Sequence, residues 1–156
     1  MSATVKPIPD GYPTVTPYLF TDGAAAAIEF YTTVFGATER MRMAGPDGRV
    51  GHAELAIGDS VIMLADEHPE IGVIGPKSVG GTPVMLSVYV ADVDTTVALA
   101  LKSGATLVEP IENKFYGDRS GQIEDPFGHR WNVATHVEDI APEEMAKRAA
   151  AAGAGG

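Results

Sequence analysis

The chain has 156 residues, a formal net charge of −10 from 11 Lys and Arg against 21 Asp and Glu, and 45% hydrophobic residues. That is one globular unit with a real core, and its acidic balance disfavours nucleic acid and anionic membranes as partners. It has no cysteine, which excludes disulfides, thiolate metal sites and a cysteine nucleophile, and no apolar run near the ~20 residues that span a bilayer, so the expectation is a cytoplasmic protein.

Residues 1–13 carry three prolines and are expected to lie extended. From residue 14 an apolar run ends at Phe20-Thr21-Asp22, where Asp22 is placed to cap a helix. Ala24, Ala27, Ile28, Tyr31 and Phe35 follow at helical spacing, and Gly36-Ala37-Thr38 stops them. Turn signals then divide three strands, 39–44, 49–57 and 61–66. Residues 67–81 are rich in Pro and Gly, lack periodicity and read as a linker. The pattern resumes over 82–138: a run closing at Val90-Ala91-Asp92, a helix with Val93, Val97, Ala100 and Leu101, a stop at Gly104-Ala105-Thr106, and strands at 106–113, 119–124 and 129–135. Residues 139–156 read as a short helix beginning at Pro142, then a disordered tail.

The two halves are copies. Arg49-Val50-Gly51-His52-Ala53-Glu54, closed by Gly58, recurs ungapped 70 residues later as Arg119-Ser120-Gly121-Gln122-Ile123-Glu124, closed by Gly128. Each half is therefore a βαβββ module, 14–66 and 82–138.

A paired βαβββ chain with Ile28-Glu29-Phe30-Tyr31 on its first helix and Asp125-Pro126-Phe127-Gly128-His129-Arg130-Trp131 before its last strand resembles the vicinal oxygen chelate superfamily, which includes glyoxalase I, bleomycin-resistance proteins and extradiol dioxygenases. Tyr116-Gly117-Asp118-Arg119-Ser120-Gly121 and Ala134-Thr135-His136-Val137-Glu138-Asp139-Ile140 are similar to its mostly uncharacterised PhnB-like branch. The resemblance implies an α+β fold of two tandem modules, with concave mixed sheets, helices outside, and a homodimer. It does not fix chemistry, because the superfamily includes enzymes and proteins that only bind.

Metal-dependent members draw ligands from the first and last strand of each module. Those places fall here near Thr16, Met63, Met85 and Asn132. Hydroxyl, thioether and amide groups hold a divalent ion poorly, so no metal and no other cofactor is expected, with a noncanonical divalent site as the alternative.

On the repeated strand, alternation sends Ala53, Leu55 and Ile57 toward the helix and His52 and Glu54 to the other face; Gln122 and Glu124 match them in the second module. Glu54 and Glu124 are candidates for acid/base catalysis, and His52 and Gln122 for ligand binding. The plain alternative is a polar strand face that meets water. Phe20, Tyr116, Asp118, Arg119 and Trp131 are further ligand-binding candidates, against core packing for the aromatic rings and turn or ion-pair roles for Asp118 and Arg119.

The expectation is a protein that binds or sequesters a small organic ligand. A lyase, isomerase or transferase with a noncanonical or metal-free site is the first alternative, and a dimeric interaction scaffold the second.

Overall fold

An apolar stripe of Ala24, Ala27, Ile28, Tyr31 and Val34 seats the first helix on its sheet, with Tyr31 and its strand neighbours Leu55 and Leu64 fully enclosed. The computed structural model describes residues 4–153 and falls into two units, one running to Val79 and the other beginning at Gly80. In the first, β1 (Tyr18–Thr21), α1 (Ala24–Phe35), β2 (Thr38–Ala44), β3 (Val50–Ile57) and β4 (Ser60–Asp66) form a four-stranded sheet in the order β1-β4-β3-β2. β1 runs parallel to β4 and the other pairs are antiparallel.

The second unit repeats the plan with β5 (Met85–Tyr89), α3 (Val93–Lys102), β6 (Thr106–Asn113), β7 (Asp118–Glu124) and β8 (Arg130–His136), its sheet ordered β5-β8-β7-β6. This is an α+β architecture of two mixed sheets, each with its helix on one face. β6 carries Pro110, and its register with β7 shifts between Glu109 and Glu112. Gly121 faces that bulge: a Cβ there would come within 2.9 Å of the Ile111 side chain, which explains a glycine in mid-strand.

The helix starts differ between the copies. Asp92 caps α3 as its sequence position suggests, its carboxylate accepting from the Thr95 N–H at 3.2 Å. The equivalent Asp22 does not cap α1. Gly23 occupies the N-cap with φ 108°, and the first N–H groups turn instead to Asp66 at the end of β4. Asp66 Oδ1 accepts from Gly23 (3.0 Å) and Ala24 (2.8 Å), while Oδ2 accepts from the Val50 N–H at the start of β3 (2.7 Å).

Residues 67–79 are more ordered than a linker. His68 and Val73 form an antiparallel bridge around a 3-10 turn at Pro69–Ile71, and a one-turn helix α2 follows at Pro76–Val79. Glu67 Oε2 accepts from the Gly75 N–H at 2.7 Å, which lays the segment on the end of β1. A Cβ at Gly75 would sit 2.6 Å from the Phe20 carbonyl oxygen, so only glycine fits this crossing. The C-terminal helix α4 spans Pro142–Ala151, further than a frayed tail would allow; residues 1–3 and 154–156, where the rest of the extended segment and tail were expected, lie outside the described residues. Among the described residues no helix is long and apolar enough to cross a membrane.

Asp66→Ala removes a cap and strands three backbone donors, so it should cost about 2–4 kcal/mol, read as a fall in the urea midpoint. Asp22→Ala should stay within about 0.5 kcal/mol of the parent. Equal losses from the two variants would mean that Asp66 is not the cap.

Candidate functional site

Register sorts the first sheet into two faces. Leu19, Leu64 and Ala53 share one row toward α1, and Tyr18, Met63 and Glu54 share the adjacent row on the face away from it. His52, opposite Met43, and Phe20, opposite Ala65, lie on that second, open face.

Glu54 is 4% exposed there, and a buried carboxylate without donors would be costly. It has two. Tyr12 donates its hydroxyl to Oε1 at 2.6 Å, and His52 Nε2 lies 2.9 Å from Oε2. His52 Nδ1 in turn lies 2.8 Å from the Tyr18 hydroxyl. Burial pushes the Glu54 carboxyl up, but the hydrogen bonds from Tyr12 and His52 and the attraction of His52 and Arg40 outweigh it and hold it below its ordinary value. Arg40 also stacks on the Tyr12 ring, 4.6 Å from its centroid, and donates to the Gly11 carbonyl at 3.1 Å, pinning Tyr12 in place.

Sequence reasoning placed His52 and Glu54 on one face but missed Tyr12 and Tyr18. Tyr12 sits in a proline-rich segment with no periodicity, and its partner is 42 residues away.

Beside this chain of groups, at the end of the open face, is a cleft of about 650 Å³. Tyr18 and Phe20 form one wall, with ring centroids 5.3 Å apart, and Tyr18 continues to the His52 ring at 5.4 Å. Met43, Ile71 and Val73 supply further apolar lining, and the β2–β3 turn and residues 66–68 bring Asp47, Arg49, Asp66, Glu67 and His68. The supposed linker is thus a wall of the cleft. Arg49 is committed to the Glu67 carbonyl, to which its guanidinium donates.

In the second unit Gln122 pairs with Asn132, and Glu124 with Arg130, on the face away from α3. Asn132 donates its amide to the Ser87 hydroxyl at 3.2 Å. Two buried polar atoms, Ser120 Oγ and Arg130 Nε, lack a hydrogen-bond partner among the described residues. Arg119 and Trp131 lie on the opposite face. Arg119 forms a two-pronged ion pair with Asp94 on α3 at 2.8 and 2.9 Å, and Trp131, 3% exposed, packs opposite Ile123 and donates to Asp125 at 2.9 Å. For these two the structure shows the packing and ion-pair contacts that the sequence offered beside a ligand role.

Asp118 does gather partners. It accepts from the Tyr89 hydroxyl at 2.8 Å, and its other oxygen lies 2.9 Å from His136 Nδ1, whose Nε2 meets Asp139 at 2.7 Å. Tyr116 stacks edge-on against Phe115 at 5.2 Å and stays partly exposed.

The structure also tests the fit of the metal implied by the resemblance. The residue facing Met63 across the β1–β4 pair is Tyr18, not Thr16, and the one facing Asn132 is Ser87, not Met85. Neither corrected pair suits a divalent ion, and among the described residues no three His, Asp or Glu side chains come together to hold one.

Residues 13–133 match the family described as the Glyoxalase/Bleomycin resistance protein/Dioxygenase superfamily. An uncharacterized protein of Mycobacterium bovis is 41% identical over 136 residues, covering 85% of this chain and 90% of its own. A solved gene product of Arabidopsis thaliana superposes with TM-score 0.64 at 25% identity, over 79% of this chain and 98% of its own. The PhnB protein of Bacillus cereus shares the fold, with TM-score 0.62 at 18% identity over 79% and 99% of the two chains.

The hydrogen bonds to Asp118 and then Asp139 raise the His136 pKa above its ordinary 6.5. Because the folded value is the higher one, this stabilisation is complete below pH ~6.5 and is lost as pH rises through the raised value. In an NMR titration the His136 midpoint should exceed 6.5 and fall toward it in Asp118→Asn; an unshifted midpoint in the parent would show that the pair does not form.

Proposed function

The chain belongs to the Glyoxalase/Bleomycin resistance protein/Dioxygenase superfamily, and on that premise we propose that it binds a small organic molecule in the cleft of its first unit, without a metal. The observation that carries this reading is the aromatic wall of Tyr18 and Phe20 at the end of a sheet face whose buried carboxylate is already satisfied. A volume of about 650 Å³ suits a drug-sized molecule, and apolar walls with a few placed polar groups are the ordinary chemistry of such sites.

The position of Phe20 follows from its neighbours. Its strand partner Ala65 is small, its ring lies 5.3 Å from that of Tyr18, and Gly75 lets the 67–79 segment pass tightly over its backbone. A flat apolar ring can therefore lie against Phe20 and Tyr18 while Met43, Ile71 and Val73 close around it.

A second reading, metal-free acid/base chemistry, draws on the His52–Glu54 pair at 2.9 Å beside the cleft. It would make His52 exchange a carbon-bound hydrogen of a carbonyl compound with solvent deuterium. That exchange, followed by NMR across a panel of such compounds, should vanish in His52→Gln; a panel with no exchange in the parent removes this reading and leaves the binding role.

Titration with indole, a neutral aromatic probe, should shift the NMR signals of Tyr18, Phe20, Met43 and Val73 together. Phe20→Ala should weaken indole about tenfold, roughly 1.4 kcal/mol, with its far-UV circular dichroism retained. Indole shifts confined to residues outside the cleft would refute the assignment.

A further inference from the structure

The hydrogen bonds that run from Tyr12 to Tyr18 have a direction, and it reaches the cleft. A carboxylate only accepts. With Oε1 taken by the Tyr12 hydroxyl, Glu54 presents Oε2 to His52, so Nε2 of His52 carries the hydrogen. In a neutral imidazole the other nitrogen is then an acceptor, and the Tyr18 hydroxyl donates to Nδ1 at 2.8 Å. Tyr18 has spent its only donor inward and keeps lone pairs alone for anything beside it. Burial, and then the Glu54 charge, raise the Tyr18 pKa, which keeps the proton on the phenol.

The lining around it is mostly acidic: Asp47, Asp66 and Glu67 stand against Arg49, which gives one guanidinium N–H to the Glu67 carbonyl, and His68, whose Nε2 lies 3.3 Å from Glu70. Tyr18 and Phe20 offer π faces, which attract cations as well as rings.

We propose that Tyr18, oriented by Glu54 through His52, makes the cleft selective for aryl-alkyl amines over aryl carboxylates of the same size. This rests on the cleft reading above. Its acceptor-only hydroxyl pairs with an ammonium N–H while the ring beside it takes the aryl group; a carboxylate in the same place would face the Tyr18 lone pairs and receive no donor from that hydroxyl.

The chain can be reversed by one substitution. In Glu54→Gln the Tyr12 hydroxyl still donates to the oxygen at the Oε1 position, so the amide NH2 points at His52 Nε2. That nitrogen becomes the acceptor, Nδ1 becomes the donor to the Tyr18 oxygen, and the Tyr18 hydroxyl is freed to donate into the cleft. Tyr18→Phe removes the group altogether without changing the protein's charge.

The test is NMR titration of the full chain at pH 8 and 0.3 M salt, which screens the general attraction of an acidic protein for cations. The probes are 2-phenylethylamine, 3-phenylpropionate and indole. The parent should bind the amine at least about tenfold more tightly than the carboxylate. Tyr18→Phe should bring that ratio to within about threefold of unity, and Glu54→Gln should bring it to unity or invert it. Indole binding with an amine-to-carboxylate ratio below about threefold in the parent, or a ratio that survives Tyr18→Phe, overturns the selectivity and leaves the cleft reading standing. Failure of indole to bind in the cleft overturns both.

Discussion

One carboxylate organises the first unit. Asp66 gathers three backbone N–H groups from two separate elements, the N-cap and first residue of α1 and the first residue of β3. Helix ends leave such donors unsatisfied, and their partial positive charge favours an anion in that place. With α1 and β3 both fixed to the end of β4, the sheet's register is set against the helix, and register decides which side chains reach the open face. A slip of one residue in β3 would send Ala53 and Leu55 to the open face and bury His52 and Glu54 under α1. The second unit meets the same demand differently, with Asp92 capping α3 locally and the Thr135 hydroxyl accepting from the Val93 N–H at 2.8 Å while donating to the Val90 carbonyl. The two copies share a topology, but the groups that lock it have diverged.

The second constraint is the burial of Glu54. An ionised carboxylate on a sheet face is tolerable only if its lone pairs are filled, and the donors come from a loop residue, Tyr12, and a neighbour two positions along the same strand, His52. Satisfying the charge orders the imidazole, and the ordered imidazole orders Tyr18. Asp118 in the second unit follows the same logic with different residues, Tyr89 and His136, but there the histidine is half-exposed and ends on a second carboxylate, Asp139. That arrangement favours the protonated ring of His136.

What the sequence revealed, and what it hid, divides along the distance between partners. The modules, the strands around 39–66 and 106–135, the helix stops at Gly36 and Gly104 and the common face of His52 and Glu54 all follow from periodicity and turn residues, which are local. Asp22 and Asp92 occupy equivalent places in the repeat and look alike, yet only Asp92 caps, because in the first unit Asp66, more than 40 residues further along the chain, outcompetes the local residue. Tyr12 was illegible for the same reason. The 67–81 segment was legible in part: Pro and Gly signalled irregular backbone between the modules, but not that Gly75 is there because Phe20 lies beneath it. For Arg119 and Trp131 the sequence offered a ligand role beside ion-pair and core-packing roles, and strand parity places both on one face. Trp131 pairs with Ile123 and Arg119 with Thr135, both on the α3 side.

The resemblance to metal-dependent enzymes places ligands on the first and last strands of a module. Here those strands meet through Tyr18 and Met63 in one unit and Ser87 and Asn132 in the other. In the first unit the ionisable groups instead occupy β3, and Tyr18, at the place on β1 where a ligand would face Met63, is turned to His52. A metal site needs lone pairs converging on one empty point; here the carboxylate, imidazole and phenols are hydrogen-bonded to one another, Tyr12 to Glu54, His52 to Glu54 and Tyr18 to His52. On the selectivity proposed above, such a chain would carry a hydrogen-bond polarity from a buried charge to a surface cleft. If the cleft binds as proposed, the scaffold serves recognition with its ionisable residues one strand inward of the expected ligand positions, while the helix, the register and the Asp66 lock hold them there.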